Sequence, residues 1–414
     1  MSVVLGIIVG LLILMILVTG HEFGHFIAAR RNGVEVEEFG ICFPPRAVAW
    51  RKVNGKWRRL KKSEWKRPPG KGLIISLNWL PIGGFCQMKG ESDADTDKGS
   101  FGAATFWKKT KILFAGVTMN WLMAFVVLTI LAWVGMPHFI EGQFQIDSDT
   151  QSVVTQPVTI GSIIDDSPAS AAYLKEGDIV KQMRSMACSG DDCDGQDAER
   201  VIIDTSEDLL AFDERHAGQT VYITYERDNE TRTAEVQLNS ADAEYILGAS
   251  ISSAAVYRST WSAPIVGLGT TLQITGETFK GVGQLLWNLI SGVVRQLNFF
   301  DQSARESGAE AVKEAGDSVS GPVGIIGILF PNMLSTGASN IMFLAALISI
   351  SLACMNVLPI PALDGGRWLL IAIYRLRKKK LTKETEEKIV GRAFAALLVI
   401  VAVVTVIDIA RLIK

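Results

Sequence analysis

The stretch Thr19-Gly20-His21-Glu22-Phe23-Gly24-His25-Phe26-Ile27-Ala28-Ala29 closes an apolar run that begins at Val3 and stops at Arg30-Arg31. At about 1.5 Å per residue, residues 3–29 make roughly 40 Å of helix, enough to cross a bilayer with some tilt. Two histidines and a glutamate are costly inside such a helix, so they need a reason to be there. His21 and His25 stand at i and i+4, on one face, where both imidazoles reach one ion. Glu22 lies beside them, placed to take a proton from a water on that ion. The bland readings are a chance pattern, or two histidines that only pack, which leaves Glu22 without a role. Zinc is the expected ion.

The chain has 414 residues, is 48% hydrophobic with mean hydropathy +0.26, and has a net charge of −2. That balance favours an integral membrane protein over a soluble enzyme. Charge is segregated: residues 30–111 hold 18 Lys/Arg against 8 Asp/Glu, residues 375–388 hold 7 against 3, and residues 136–340 hold 12 against 29. Basic segments stay in the cytoplasm, which puts the first two inside and the long acidic segment outside. The opening run is too long for a cleaved signal, and Met1-Ser2 gives it no basic start. No nucleic-acid partner is expected.

Four stretches are apolar enough to span: residues 1–31, 106–136, 341–375 and 389–413. The expected fold is a polytopic α-helical membrane protein with both termini outside. Trp107-Lys108-Lys109-Thr110-Lys111 is an interface anchor, and Arg392 and Arg411 can snorkel from the ends of the fourth span.

The inner segment, residues 32–105, reads as β-rich, with an alternating Val34-Glu35-Val36-Glu37 and a turn at Asn54-Gly55. Residues 72–88 are apolar but broken by Pro81 and Gly83-Gly84, which fits a β-hairpin dipping into the membrane face. Its strand edge is a place for an extended peptide to pair, and packing alone is the alternative.

The outer segment, residues 137–260, holds a compact α+β unit with its core at 155–250. It contains a strand at 158–164, then Ser167-Pro168-Ala169-Ser170-Ala171-Ala172-Tyr173-Leu174-Lys175-Glu176-Gly177-Asp178-Ile179. A helix over 207–215 and a hairpin over 221–237, turning near Asp228-Asn229, complete the order, which resembles a PDZ domain of the bacterial protease type. Tyr173 stands where that pattern has glycine, implying an altered turn. Such domains take an extended chain or free C-terminus as an added strand, or only restrict access. Cys188 and Cys193 flank an acidic loop here and are a candidate disulfide, whereas Cys42, Cys86 and Cys354 read as reduced packing residues. His138 and His216 read as surface histidines. Residues 261–340 form a linker region whose stretch 261–292 reads as an amphipathic, surface-lying helix rather than a further span.

The third span is interrupted at Asn356-Val357-Leu358-Pro359-Ile360-Pro361-Ala362-Leu363-Asp364-Gly365-Gly366-Arg367. Exposed backbone at that depth must line a cavity, and the carboxylate of Asp364 there needs a cation. Two histidines on zinc leave room for a third protein ligand and a water. Counted from the inner side, His25 is about 8 Å of helix from Arg30 and Asp364 about 16 Å from Arg375. Pairing of Asp364 with Arg367 is the alternative.

Together, His21-Glu22-Phe23-Gly24-His25, Asn356 to Gly366, Pro81-Ile82-Gly83-Gly84-Phe85 and the outer unit resemble the site-2 protease family of intramembrane zinc metalloproteases. The likeness is greatest to the bacterial regulator-of-sigma-E type. Gly116-Val117-Thr118-Met119-Asn120 resembles that family's Gly-x-x-x-Asn motif. The resemblance implies metal ligands His21, His25 and Asp364, with Glu22 as the catalytic base. It also implies substrate contacts at Asn356, Gly83, Gly84 and Phe85, and for Asn120 a place close to the zinc or the substrate. It implies cleavage of single-span membrane proteins, such as anti-sigma factors or signal-peptide remnants, in the bacterial inner membrane. Members of this type often carry two PDZ units, and one is legible here. A non-catalytic membrane scaffold holding outer proteins by its PDZ-like unit is the competing function. An ion transporter would need more polar spans and repeat symmetry.

Overall fold

Residues 2–20 carry no charge and no proline, and the chain forms a single helix, α1 (Ser2–Arg31). It ends where Asn32 and Gly33 break the ladder. The Asn32 side-chain amide donates to the Ala28 carbonyl at 2.8 Å, Gly33 turns to φ +82°, and the Val34 N–H returns to Ala29 at 2.9 Å. This satisfies carbonyls that the helix end would otherwise leave open. The computed structural model describes residues 2–53, 55–65, 72–140, 142–185, 199–296, 307 and 321–413. These fall into two units, Met1–Leu131 with Ala263–Lys414, and Ala132–Ser262.

After α1 come β1 (Val36–Val53), β2 (Lys56–Arg59) and β3 (Ile74–Met88), in the order β2-β1-β3. β2 returns along β1 with Val53 opposite Lys56, as the Asn54-Gly55 signal predicts, although Asn54 lies outside the described residues. β3 pairs at both ends of its length with β1, through Arg51 opposite Ile74 and Gly40 opposite Phe85. Inside the sheet, the buried Glu38 carboxylate accepts from Arg46 and from the Ser76 hydroxyl, which compensates its charge. Trp79, Leu80 and Ile82 stand exposed at the middle of β3, an apolar tip of the kind a bilayer covers.

α2 (Phe106–Val134) follows, and then the second unit. Its strands are β4 (Met136–Pro137), β5 (Gln151–Ile163), β6 (Ile179–Ser185), β7 (Arg200–Ile202), β8 (Thr220–Arg227), β9 (Glu230–Gln237) and β10 (Ala249–Arg258). Its helices are α3 (Pro168–Ala171) and α4 (Ser206–Arg215). The sheet runs β4-β10-β5-β6-β8-β9, with β7 on β6. Alternate residues Val221, Ile223 and Tyr225 of β8 bury against Leu209 and Phe212 of α4, one face of each element supplying the core. Asp228 and Asn229 both take positive φ, the turn that matches strand twist in a two-residue hairpin. Tyr173 also takes positive φ, +59°, so the turn keeps its form and the tyrosine bears the backbone cost, contrary to the altered turn expected. His216 is not a surface residue: it caps α4, buried, with Nδ1 3.1 Å from the Phe212 carbonyl and its ring stacked on Phe212. Cys188 and Cys193 lie outside the described residues.

The chain returns to the first unit through α5 (Ala263–Gln296), α6 (Pro322–Gly324), a π-helical turn (Ile325–Leu329), α7 (Phe330–Thr336), α8 (Ala338–Val357), α9 (Asp364–Leu376) and α10 (Lys383–Ile413). Among the described residues four helices are long and apolar enough to cross a membrane: Val3–Arg31, Phe106–Val134, Ala338–Val357 and Lys383–Ile409. α5 is not one of them, as expected; its first half packs on α2, while residues 276–288 are largely exposed. Gly267 meets the Thr129 backbone, and Trp121 Nε1 donates to Thr275 Oγ1 at 3.3 Å, so α5 runs along the apolar length of α2. Threonines at 271, 275 and 278 turn their hydroxyls onto carbonyls four residues back, which lets a polar sequence lie against an apolar helix.

Candidate metal centre

Close approach of α1 and α2 builds the site. A Cβ on Gly20 would strike Met123, and one on Gly24 would strike the Ala115 carbonyl, so these glycines let the helices touch. The break between α8 and α9 brings in the third element. α9 begins at Asp364, and Cβ atoms on Gly365 and Gly366 would overlap the carbonyls of Val357 and Ile360. The two glycines let the new helix start against the end of the old one, which aims Asp364 at α1.

His21 Nε2 lies 3.2 Å from His25 Nε2, and each lies 3.2 Å from Asp364 Oδ2. Both histidines are buried. His25 Nδ1 stands 2.8 Å from the Ile112 carbonyl, an acceptor only, so Nδ1 carries the proton and the neutral ring leaves Nε2 bare. The Asn120 amide lies 3.3 Å from His21 Nδ1. Turned with Oδ1 toward the ring, it accepts from Nδ1–H and gives that buried oxygen a partner it otherwise lacks among the described residues. Three lone pairs then face one point with no proton between them, an arrangement that needs a cation.

The donor set suits zinc. Ligand atoms roughly 2.0–2.1 Å from a tetrahedral ion are about 3.3 Å apart, close to the triangle seen. A Cβ on Gly116 would lie 2.5 Å from His25 Nε2 and 2.6 Å from His21 Nε2, so the absent side chain keeps the space between the rings and α2 clear. The Cys86 backbone N–H lies beside the half-buried Glu22, one residue along from His21, close enough to act on its carboxylate.

Arg367 pairs with Glu386, Nε to Oε1 at 3.4 Å, and donates to the Glu91 carbonyl. It is therefore not the partner of Asp364. Asn120 is fully buried behind His21, so of the two expected places, near the zinc or near the substrate, it stands beside a residue of the triangle. Asn356 is half-buried in the last turn of α8. Gly83 and Gly84 are buried where β3 crosses α1, facing Val18 and Thr19, and the Phe85 ring covers Gly40 and stacks near Phe43. These three contribute clearance and packing through their own atoms. The Ile112 carbonyl, the Cys86 N–H and the clearance at Gly116 are features of the site's geometry that sequence reasoning missed. Only Gly116 had a signal, as the first residue of the motif that ends at Asn120.

Apolar helices that carry a histidine pair and a convergent aspartate define a membrane-embedded metallopeptidase. Known proteins agree: the family described as Peptidase family M50 matches residues 9–61 and 65–401. The chain belongs to that family. It is similar to the zinc metalloprotease RasP of Shouchella clausii (strain KSM-K16), 28% identical over 324 residues that cover 76% of this chain and 62% of that protein. The regulator of sigma-W protease RasP of Bacillus subtilis (strain 168) is 24% identical, with 96% of both chains covered. The zinc metalloprotease RasP of Geobacillus kaustophilus (strain HTA426) is 25% identical, with 95% of both covered.

Proposed function

We propose that this zinc metallopeptidase cleaves transmembrane segments of single-span membrane proteins. The observation that carries the reading is the triangle of His21, His25 and Asp364 with Glu22 adjacent, the histidines and Glu22 on the apolar α1 and Asp364 at the start of α9, just past the apolar α8. In this reading the basic segments and the sheet of β1 to β3 face the cytoplasm, the acidic unit faces outward, and both termini lie outside. The protein is then a multi-pass protein of the bacterial inner membrane.

His21, His25 and Asp364 hold the ion; bound there, zinc supplies a Lewis acid that activates water and polarises a carbonyl. Glu22 accepts the proton of the attacking water and returns it to the leaving amine, while the Cys86 N–H orients its carboxylate. A helical substrate has its carbonyls engaged, so it must first unwind. The edge of β3 beside α1, unpaired among the described residues, would offer hydrogen bonds to the unwound segment, and Asn356 near the break would add one. Asn120 and the Ile112 carbonyl fix the two rings. Anti-sigma factors and signal-peptide remnants are substrates of this kind. The acidic unit resembles a PDZ domain and takes an extended chain or C-terminus.

The purified protein is expected to hold about one zinc per chain, lost in His21→Ala. Glu22→Gln is expected to keep the zinc and to lose cleavage of a reconstituted single-span substrate. A scaffold would bind no zinc, and retained cleavage in Glu22→Gln would remove that residue from its role.

A further inference from the structure

The unit of residues 132–262 contains a groove of about 520 Å³ between α4, the end of β5, the loop before β10 and the first residues of β10. β10 pairs with β5 on one side, Ala249 opposite Ile163 and Ile251 opposite Ile160. On its other side β4 covers only Val256 and Tyr257. Among the described residues, the edge over 249–251 therefore pairs with no strand, and α4 stands across the groove from it. An extended peptide fits as an added strand.

The groove carries its own charge. Asp213, Glu214 and Glu244 line it, and no lysine or arginine does. Asp213 is 3% exposed, and its Oδ1 has no hydrogen-bond partner among the described residues. A buried carboxyl left this way is costly unless something else completes it. The whole unit holds 8 Lys/Arg against 23 Asp/Glu, so its field draws in cations. Next to Asp213, Leu210 is an exposed apolar side chain on the groove wall. The methylenes of a long basic side chain can lie on Leu210 while its charged head reaches Asp213. A metal ion is a poor occupant: among the described residues, the only group of three ligands close enough to hold one is His21, His25 and Asp364.

We propose that this groove selects an extended peptide that sets a lysine or arginine side chain against Asp213. The proposal rests on the reading that the acidic unit binds an extended chain, and it names the class of chain.

The test uses the full-length Glu22→Gln protein in nanodiscs, so that nothing is cleaved. Fluorescein-labelled decapeptides of Gly, Ser and Val with a free C-terminus carry one Lys, Ala or Glu, moved through successive positions, and binding is read by anisotropy. At one position Lys is expected to bind about tenfold tighter than Ala, and Glu to bind weaker than Ala. Adding Asp213→Asn should bring the affinities of the Lys and Ala peptides to within about twofold of each other. Acetylation of the lysine, which leaves the protein untouched, should remove the same advantage and decides the matter if Asp213→Asn does not fold. Equal binding of Lys, acetyl-lysine and Ala peptides, or a preference that survives in folded Asp213→Asn, overturns the proposal and leaves the peptide-binding reading in place. No binding of any peptide overturns both.

Discussion

A Cβ on Gly116 would lie 2.5 Å from the Nε2 of His25, closer than a non-bonded carbon stands to a nitrogen. Glycine on α2 is thus a condition of the ligand geometry on α1. Gly116→Ala is expected to lower zinc content by about tenfold or more under chelator competition, and Gly116→Val to remove it. Elemental analysis of the purified variants checks this, and a full zinc complement in Gly116→Val would refute the geometry.

Asn120 acts through His21. Asn120→Ala should weaken zinc binding about 10- to 100-fold, the usual effect of losing the group behind a metal-binding histidine. Asn120→Asp keeps an acceptor for Nδ1–H and should recover most of the loss. If Asn120 touched substrate instead, both variants would raise KM at unchanged zinc affinity.

The Cys86 N–H of β3 lies beside Glu22. Cys86→Pro removes that donor and blocks strand addition, so cleavage should fall at least about tenfold with zinc content unchanged. Cys86→Ala keeps the N–H and should cleave near the wild-type rate. Equal rates for the two variants would show that β3 only packs.

Burial pushes the Asp213 carboxyl from its ordinary 3.8 up to about 7. The folded unit holds this proton to about pH 7, whereas the unfolded chain releases it near pH 4. The folded state binds more protons across that window, so the Asp213 contribution to stability falls as pH rises from about 4 to about 7 and is constant above. Asp213→Asn should flatten this slope and raise the unfolding temperature at pH 7.5 by several degrees, on the order of 5 °C. Thermal proteolysis of the full-length protein, followed at this unit, measures it. A slope unchanged in Asp213→Asn would assign the pH dependence to other groups.

The residues of the proposed site were readable because each breaks a rule of its surroundings. His21, Glu22 and His25 put ionisable groups into an apolar helix, at the spacing that shares a face. Asp364 follows two prolines in a helix that needs none. The hairpin at Asp228-Asn229 was likewise written in turn chemistry. What stayed hidden depends on neighbours distant in sequence: the Ile112 carbonyl behind His25, the Asn120 amide behind His21, and the path of α5 along α2. α5 resisted reading because its threonines satisfy themselves on their own helix, so its polarity does not report its surroundings. Tyr173 was misread because an ordinary residue can occupy a glycine's backbone when the fold outweighs the strain.

His21 and Asp364 are separated by most of the chain, and the break before α9 leaves that helix joined to α8 by only six residues. An ion shared between them is therefore also a rivet between the first and last thirds of the polypeptide. Extracting it leaves three electron pairs repelling one another at 3.2 Å, which only protonation or parting of the helices can relieve. Chelation should accordingly cost the apoprotein cohesion as well as activity, with the hinge before α9 the first place to loosen.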